Sequence, residues 1–150
     1  MKRTLSILMC AILLACTLLF SVGCIKTSLN GVFTTEDGEN QRIYTFYNNL
    51  AEAETNEHGE RPIFNRLIVT EVINEVSYDM YFRFTIREEN GAEYLDLKYE
   101  GIVYEGNDIY VAHMVNALDQ NHKKSPNSTL PLTRTADYIM LDELKLIKRT

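Results

Sequence analysis

Apolar and polar residues alternate along much of the chain beyond residue 30, the period of a half-buried β-strand. The longest run covers residues 76–87. Val76, Tyr78, Met80, Phe82, Phe84 and Ile86 share one face, and Ser77, Asp79, Tyr81, Arg83, Thr85 and Arg87 share the other. Glu89-Asn90-Gly91-Ala92 follows. Asn-Gly is a strong hairpin signal, because both central residues of a type I′ turn need positive φ. That turn pairs Glu89 with Ala92 and sets the register. Ile86 then faces Leu95, Phe84 faces Leu97, Phe82 faces Tyr99 and Tyr78 faces Val103, all apolar and all on one face. On the other face Thr85 opposes Asp96 and Arg83 opposes Lys98, with Asp96 and Glu100 diagonal to Arg83. Gly101 falls opposite Met80, where a bend or bulge would curve the sheet.

A second hairpin is predicted at Glu105-Gly106-Asn107-Asp108. A two- or four-residue loop pairs Tyr104 with Ile109 and turns Tyr110, Ala112 and Met114 to the core. Ile109, Val111, His113 and Val115 then point outward beside Ile102 and Tyr104, whereas a three-residue loop swaps the faces. Both faces are apolar, so the pattern leaves both registers open. Upstream, residues 31–35 and 42–47 read as strands around an Asp37-Gly38 turn. Residues 50–55 read as a strand or a helical turn, residues 55–62 as a polar loop, and residues 64–73 as a strand. Residues 118–135 contain Pro126 and Pro131 and read as a long loop. Residues 138–141 and 145–149 close the chain around Asp142-Glu143. The chain is therefore expected to be all-β, an antiparallel up-and-down meander of eight or nine strands. Such a meander protects its edges by curling closed into a barrel.

The amino terminus has a different pattern. Lys2 and Arg3 precede an uncharged stretch over residues 5–22, rich in Leu and Ile, and then Ser21, Gly23 and Cys24. A basic start, an apolar stretch and a small-residue cleavage region describe an export signal. All 3 cysteines, Cys10, Cys16 and Cys24, lie here, which leaves the remainder without a disulfide to staple it. The length of 150 residues suits a single domain. The formal charge is −6, and removing Lys2 and Arg3 leaves 13 basic against 21 acidic side chains, or −8. That balance argues against a general nucleic-acid binder, which needs a basic face.

Ser21-Val22-Gly23-Cys24 resembles the lipobox of bacterial lipoproteins, with Ser21 where that family usually has an aliphatic residue. The resemblance implies that residues 1–23 are a cleaved signal peptide. It also implies that the Cys24 thiol receives a diacylglyceryl group and that the new amino terminus is acylated. Leu13-Leu14-Ala15-Cys16 matches the box better locally, but it would leave the apolar run 17–22 at the mature start, so Cys24 is the expected site. An uncleaved membrane helix is the alternative. In either case the chain is expected to be exported and membrane-attached. Two or three acyl chains, at about 0.8 kcal/mol per buried CH₂, anchor stably. Ile25, standing where an Asp retains some lipoproteins in the inner membrane, points to an outer membrane if the cell has one. Residues 24–30 are expected to be a short tether and residues 31–150 the domain. The six residues between Cys24 and Gly31 reach on the order of 20 Å, which seats the domain near the bilayer.

Leu29-Asn30-Gly31-Val32-Phe33, a turn and Ile43-Tyr44-Thr45-Phe46 look like the opening of small bacterial lipocalin-like lipoproteins. Phe33 stands where lipocalins proper favour Trp. Residues 144–149 are similar to the short basic hairpin that closes those chains. The resemblance implies a barrel, in many relatives with a ligand cavity, and no reaction.

No catalytic pattern accompanies these features. His58, His113 and His122 lack i, i+2 or i, i+4 partners, and no metal-ligand spacing appears. Glu57-His58-Gly59-Glu60 reads as a solvated acidic loop. His113 falls beside Glu100 in the register above and reads first as a structural histidine. No Gly-rich phosphate loop is present. The chain is expected to be non-enzymatic, with no cofactor and no metal. The aromatic stripe Tyr78, Phe82, Phe84 and Tyr99 either fills the core or lines an apolar ligand pocket. Buried tyrosine hydroxyls want partners, which keeps the pocket in view. The expected function is a membrane-anchored, exported binding or surface-interaction module. Its partners would be the membrane, through lipid on Cys24, and a macromolecule met by the polar loops 55–62 and 118–135. The alternative is a lipocalin-like carrier of a small apolar ligand.

Overall fold

The computed structural model of the protein describes residues 28–35, 42–73 and 75–149. The expected leader, Cys10, Cys16, Cys24, the start of the tether and the Asp37-Gly38 turn lie outside the described residues. Eight strands close into one barrel: β1 Gly31–Thr35, β2 Arg42–Ala51, β3 Ile63–Ile73, β4 Val76–Glu89, β5 Ala92–Val103, β6 Asn127–Arg134, β7 Tyr138–Leu141 and β8 Leu144–Lys148. One helix, α1 Ile109–Lys124, joins β5 to β6. Each strand pairs antiparallel with its chain neighbours, and β8 returns to β1. The all-β, up-and-down barrel expected from the alternation is the fold that forms, consistent with the lipocalin-like barrel that the resemblance implies, and closure removes the unpaired edges.

The β4–β5 hairpin has the predicted turn and most of the predicted register. Asn90 and Gly91 both have positive φ, at 54° and 78°. Glu89 pairs with Ala92, Ile86 with Leu95, Phe84 with Leu97 and Phe82 with Tyr99. The register then slips, because Tyr81 pairs with Gly101 and leaves Glu100 as an extra residue. This bulge replaces the expected Tyr78–Val103 pair with Asp79–Val103, and it pairs Met80 with Ile102. One inserted residue changes the face of everything after it. Ile102 therefore packs inward with Met80 and Tyr78, and Val103 is exposed.

The second hairpin and the strand expected after it do not form. Asp108 caps a helix instead, its carboxylate accepting from the backbone N–H of Tyr110 at 2.8 Å and of Val111 at 3.1 Å. Val111, Val115 and Leu118, spaced at i, i+4 and i+7, form the apolar stripe. His122, Lys123 and Lys124 occupy the last turn, where cations complement the helix dipole. His113 lies on the exposed side of α1, away from the position beside Glu100 that a strand would give it. The Tyr104 ring folds over Gly106, where a Cβ would clash with the Tyr104 hydroxyl. That hydroxyl accepts from the Asp108 N–H at 2.9 Å, which sets the start of the helix.

The expected long loop over 118–135 is also replaced, by the end of α1 and by β6. Pro131 sits within β6, yet β7 pairs only with Leu132, Thr133 and Arg134. The first part of β6 is thus a local edge, where a missing N–H is tolerated. The Pro131 carbonyl accepts from the Asp142 N–H at 2.8 Å.

The barrel has two unlike ends. One carries the β3–β4 connection, the Asp142-Glu143 turn and α1. The other carries Leu29, the Asn90-Gly91 turn and the β6–β7 connection. The interior at the latter end is filled by Leu29, Phe33, Phe46, Phe84, Leu95, Leu132, Ile139 and Leu146, with a second pocket open between Ser28, Leu29, Phe33, Arg134 and Ile139. Phe46 contacts Phe33 edge-on at 5.7 Å and Phe84 at 5.5 Å. Leu29, expected in the tether, is a core residue here. On the outside, Arg83 bridges Glu52 at 2.6 Å and Glu100, while Asp96 pairs with Arg87 instead of Arg83. Such a charged exterior suits water and not lipid.

Candidate functional site

The inward row of β2 is Arg42, Tyr44 and Phe46, and that of β3 is Leu67, Val69 and Glu71. The inward row of β4 is Tyr78, Met80, Phe82 and Phe84. Strand alternation puts each row on one face. In all three rows the apolar members lie towards the packed end and the polar ones towards the end that carries α1. Between them lies a cavity of about 530 Å³. Its walls are Leu67, Val69, Met80, Phe82, Leu97, Leu130 and Leu141, with Leu118 of α1 above. Its mouth is formed by Arg42, Tyr44, Glu71, Tyr78, Asp142, Glu143 and Leu144.

Glu71 is the one buried charged side chain among the described residues, at 8% exposure. Its carboxylate is fully engaged. Arg42 Nε and Nη2 both reach Oε1 at 2.9 Å, and the Tyr78 hydroxyl donates to Oε2 at 2.5 Å. Cross-strand register explains the set, because Arg42 pairs with Glu71 and Glu71 with Tyr78 on neighbouring strands. Burial pushes the Tyr78 phenol well above its ordinary pKa, and the Glu71 carboxylate adds to the shift. Burial also raises Tyr44, partly opposed by Arg42. Burial pulls the Arg42 guanidinium down, but the Glu71 hydrogen bond and charge outweigh it and the net shift is upward.

α1 roofs the part of the barrel that β6 does not cover. Val111 and Val115 pack on Tyr78, Met80 and Ile102. His122 stacks on Tyr99 with ring centroids 4.8 Å apart and meets Phe82 edge-on at 6.0 Å. The Tyr99 hydroxyl donates to Asp119 Oδ1 at 2.8 Å, and Lys123 donates to Asp119 Oδ2 at 2.6 Å. These two hydrogen bonds, Lys123 first, hold the Asp119 carboxyl below the usual carboxylate range. Burial and Asp119 raise the Tyr99 phenol.

Of the four aromatic residues singled out by the sequence, Tyr78 and Phe82 line the cavity. Phe84 belongs to the packed end, against Phe46. Tyr99 lies behind His122 and anchors the helix. Sequence reasoning missed Arg42, Glu71 and His122. The first two carried a signal, since each is a charge in phase with an inward apolar row. His122 carried none until the helix was recognised.

The arrangement offers an apolar chamber with a polar, hydrogen-bonded rim, which can hold a molecule that is apolar at one end and polar at the other. Among the described residues no group of three or more His, Cys, Asp or Glu is placed to hold a metal ion. No protein-family model matches the chain, and no curated protein or solved structure matches it either.

Proposed function

We propose that this protein is a lipid-anchored, exported binding protein whose barrel takes up a small, largely apolar molecule. The observation that carries the reading is the cavity of about 530 Å³. It lies within the roughly 300–1,000 Å³ of small-molecule sites. It is apolar in its depth and polar at its mouth, as a binding site requires and a simple packing defect does not.

The leader pattern and Cys24 support the anchor. The described chain starts at the packed end of the barrel, where Arg134 Nη1 donates to the Ser28 carbonyl at 3.0 Å and the Leu29 N–H donates to Asn48 Oδ1 at 3.1 Å. The few residues from Cys24 to Ser28 reach on the order of 14 Å. The tether therefore leaves from the closed end, and the mouth faces away from the bilayer. Cys24→Ser should move the protein from the membrane to the soluble fraction; a variant that stays fully membrane-bound favours the uncleaved helix. Native mass spectrometry of the protein from its own cells should show a small-molecule adduct that leaves on denaturation. Bare protein that also binds no apolar probe contradicts the carrier reading.

A macromolecular contact is the second reading, favoured by apolar side chains exposed around the start of α1. Ile109 is 74% exposed, Tyr110 76% and Val103 45%. Crosslinking on intact cells should capture a partner that Ile109→Ser with Tyr110→Ser loses. Capture unchanged by these substitutions contradicts a contact there.

A further inference from the structure

Resting on the reading of the cavity as a binding site, we infer that its ligand is a cationic amphiphile, whose positive head lies at the mouth beside Asp142 and Glu143. The lining carries three carboxylates, Glu71, Asp142 and Glu143, against one guanidinium, Arg42. Arg42 is the obvious anchor for an anionic head, but its charge is already matched. Nε and Nη2 both lie on Glu71 Oε1, and Tyr78 takes Oε2. An incoming carboxylate would meet a guanidinium already shared with a buried carboxylate, so it would gain less than at an unmatched arginine and would add a further negative charge beside Glu71, Asp142 and Glu143.

The remaining lining charges are the two exposed carboxylates of the β7–β8 turn. The turn is fixed by the Asp142 N–H on Pro131 and by the left-handed backbone of Asp142, at φ 55°. Lys145, two residues further on, carries its ammonium over the Tyr138 ring at 5.3 Å, on the outer face of the barrel. On the helix side, Lys123 is paired with Asp119. The potential at the mouth is therefore negative, and apolar walls concentrate it there. The chamber behind the mouth, lined by Met80, Phe82, Leu97 and Leu130, takes the apolar tail.

The test is a competition with one tail and three heads. A neutral naphthylamine probe is bound to the intact protein, then displaced by dodecylamine, 1-dodecanol or dodecanoate. Dodecylamine should bind tighter than dodecanoate by about tenfold or more, with the alcohol between them. High salt should narrow the gap, because the turn carboxylates are exposed. Asp142→Asn with Glu143→Gln should reduce the ratio to within about threefold while the alcohol is unaffected. Asn tolerates the left-handed backbone, so this variant retains the turn. Equal or tighter binding of dodecanoate overturns the inference and leaves the cavity reading standing. A probe that does not bind, with no competitor bound by calorimetry, overturns both.

Discussion

At Glu71 the barrel carries a carboxylate in line with Leu67 and Val69, and the bonds from Arg42 and Tyr78 make that position tolerable. The register of β2, β3 and β4 brings the three together, so the cluster follows from alternation once the strands are paired. That phase is legible in the sequence, since Arg42 and Glu71 are charges where the pattern calls for apolar residues. Which partners they find is not, because it depends on pairing between strands that are distant in the chain. The tyrosines at this level give a pH signature. Tyr44, Tyr78 and Tyr99 are all shifted above the ordinary phenol value of about 10, chiefly by burial. A raised folded pKa means that the folded state holds the proton more tightly. The stability they lend is full below pH ~10 and is lost as the pH rises through the folded values. Burial, with the Asp79 charge, raises Tyr81 as well, so ultraviolet titration should show these four ionising last among the 9 tyrosines, together with unfolding. Nine phenols ionising together in folded protein would contradict the burial described here.

The hairpin of β4 and β5 could be read residue by residue because turn chemistry and burial pattern agree. Asn90-Gly91 fixes the turn, and a one-residue slip in register would put Phe82, Phe84 or Leu95 in water. The register departs from that pattern one bulge later. Glu100 changes the face of Ile102, and the chain leaves the sheet where the alternation predicts a further strand. Residues 109–115 then misled, because Ile109, Val111, His113 and Val115 satisfy a period of two while Val111, Val115 and Leu118 satisfy a helical one. Asp108 decides between them by capping the helix, and it was the signal available in the sequence. Asp108→Ala should lower stability by about 1 kcal/mol. Hydrogen exchange should place the loss in α1, with the barrel strands protected as before. A loss spread evenly over the strands would contradict the cap as the cause. β6 was missed for a related reason: prolines argue against a strand only where both neighbours are paired, and Pro131 has one.

Over the whole molecule, closure of the meander was legible because many short strands need their edges protected. The cavity was not, because an inward stripe of Tyr78, Met80, Phe82 and Phe84 looks the same whether the interior is filled or open. What divides the barrel is the placement of its large side chains. Phe33, Phe46 and Phe84 plug one end, while Glu71, Arg42 and Tyr78 hold the other open. With the described residues starting at the plugged end, a lipid on Cys24 would hold the mouth away from the membrane. A fluorophore on Asp142→Cys should then be weakly quenched by brominated lipid, and one on Asn90→Cys strongly. The reverse order would contradict this seating.

The central claim is that the chamber between Leu97, Leu130 and Met80 is a site for a small, largely apolar molecule. The most direct measurement is fluorescence titration of an apolar probe into the protein and into Leu97→Phe with Leu130→Phe, with thermal unfolding of both. The protein should bind saturably at one site. The filled variant should bind at least about tenfold more weakly and unfold at the same temperature, since the added rings enter existing space. Equal binding by both, or a variant destabilised by the roughly 1–3 kcal/mol of an overpacked core, would contradict the claim.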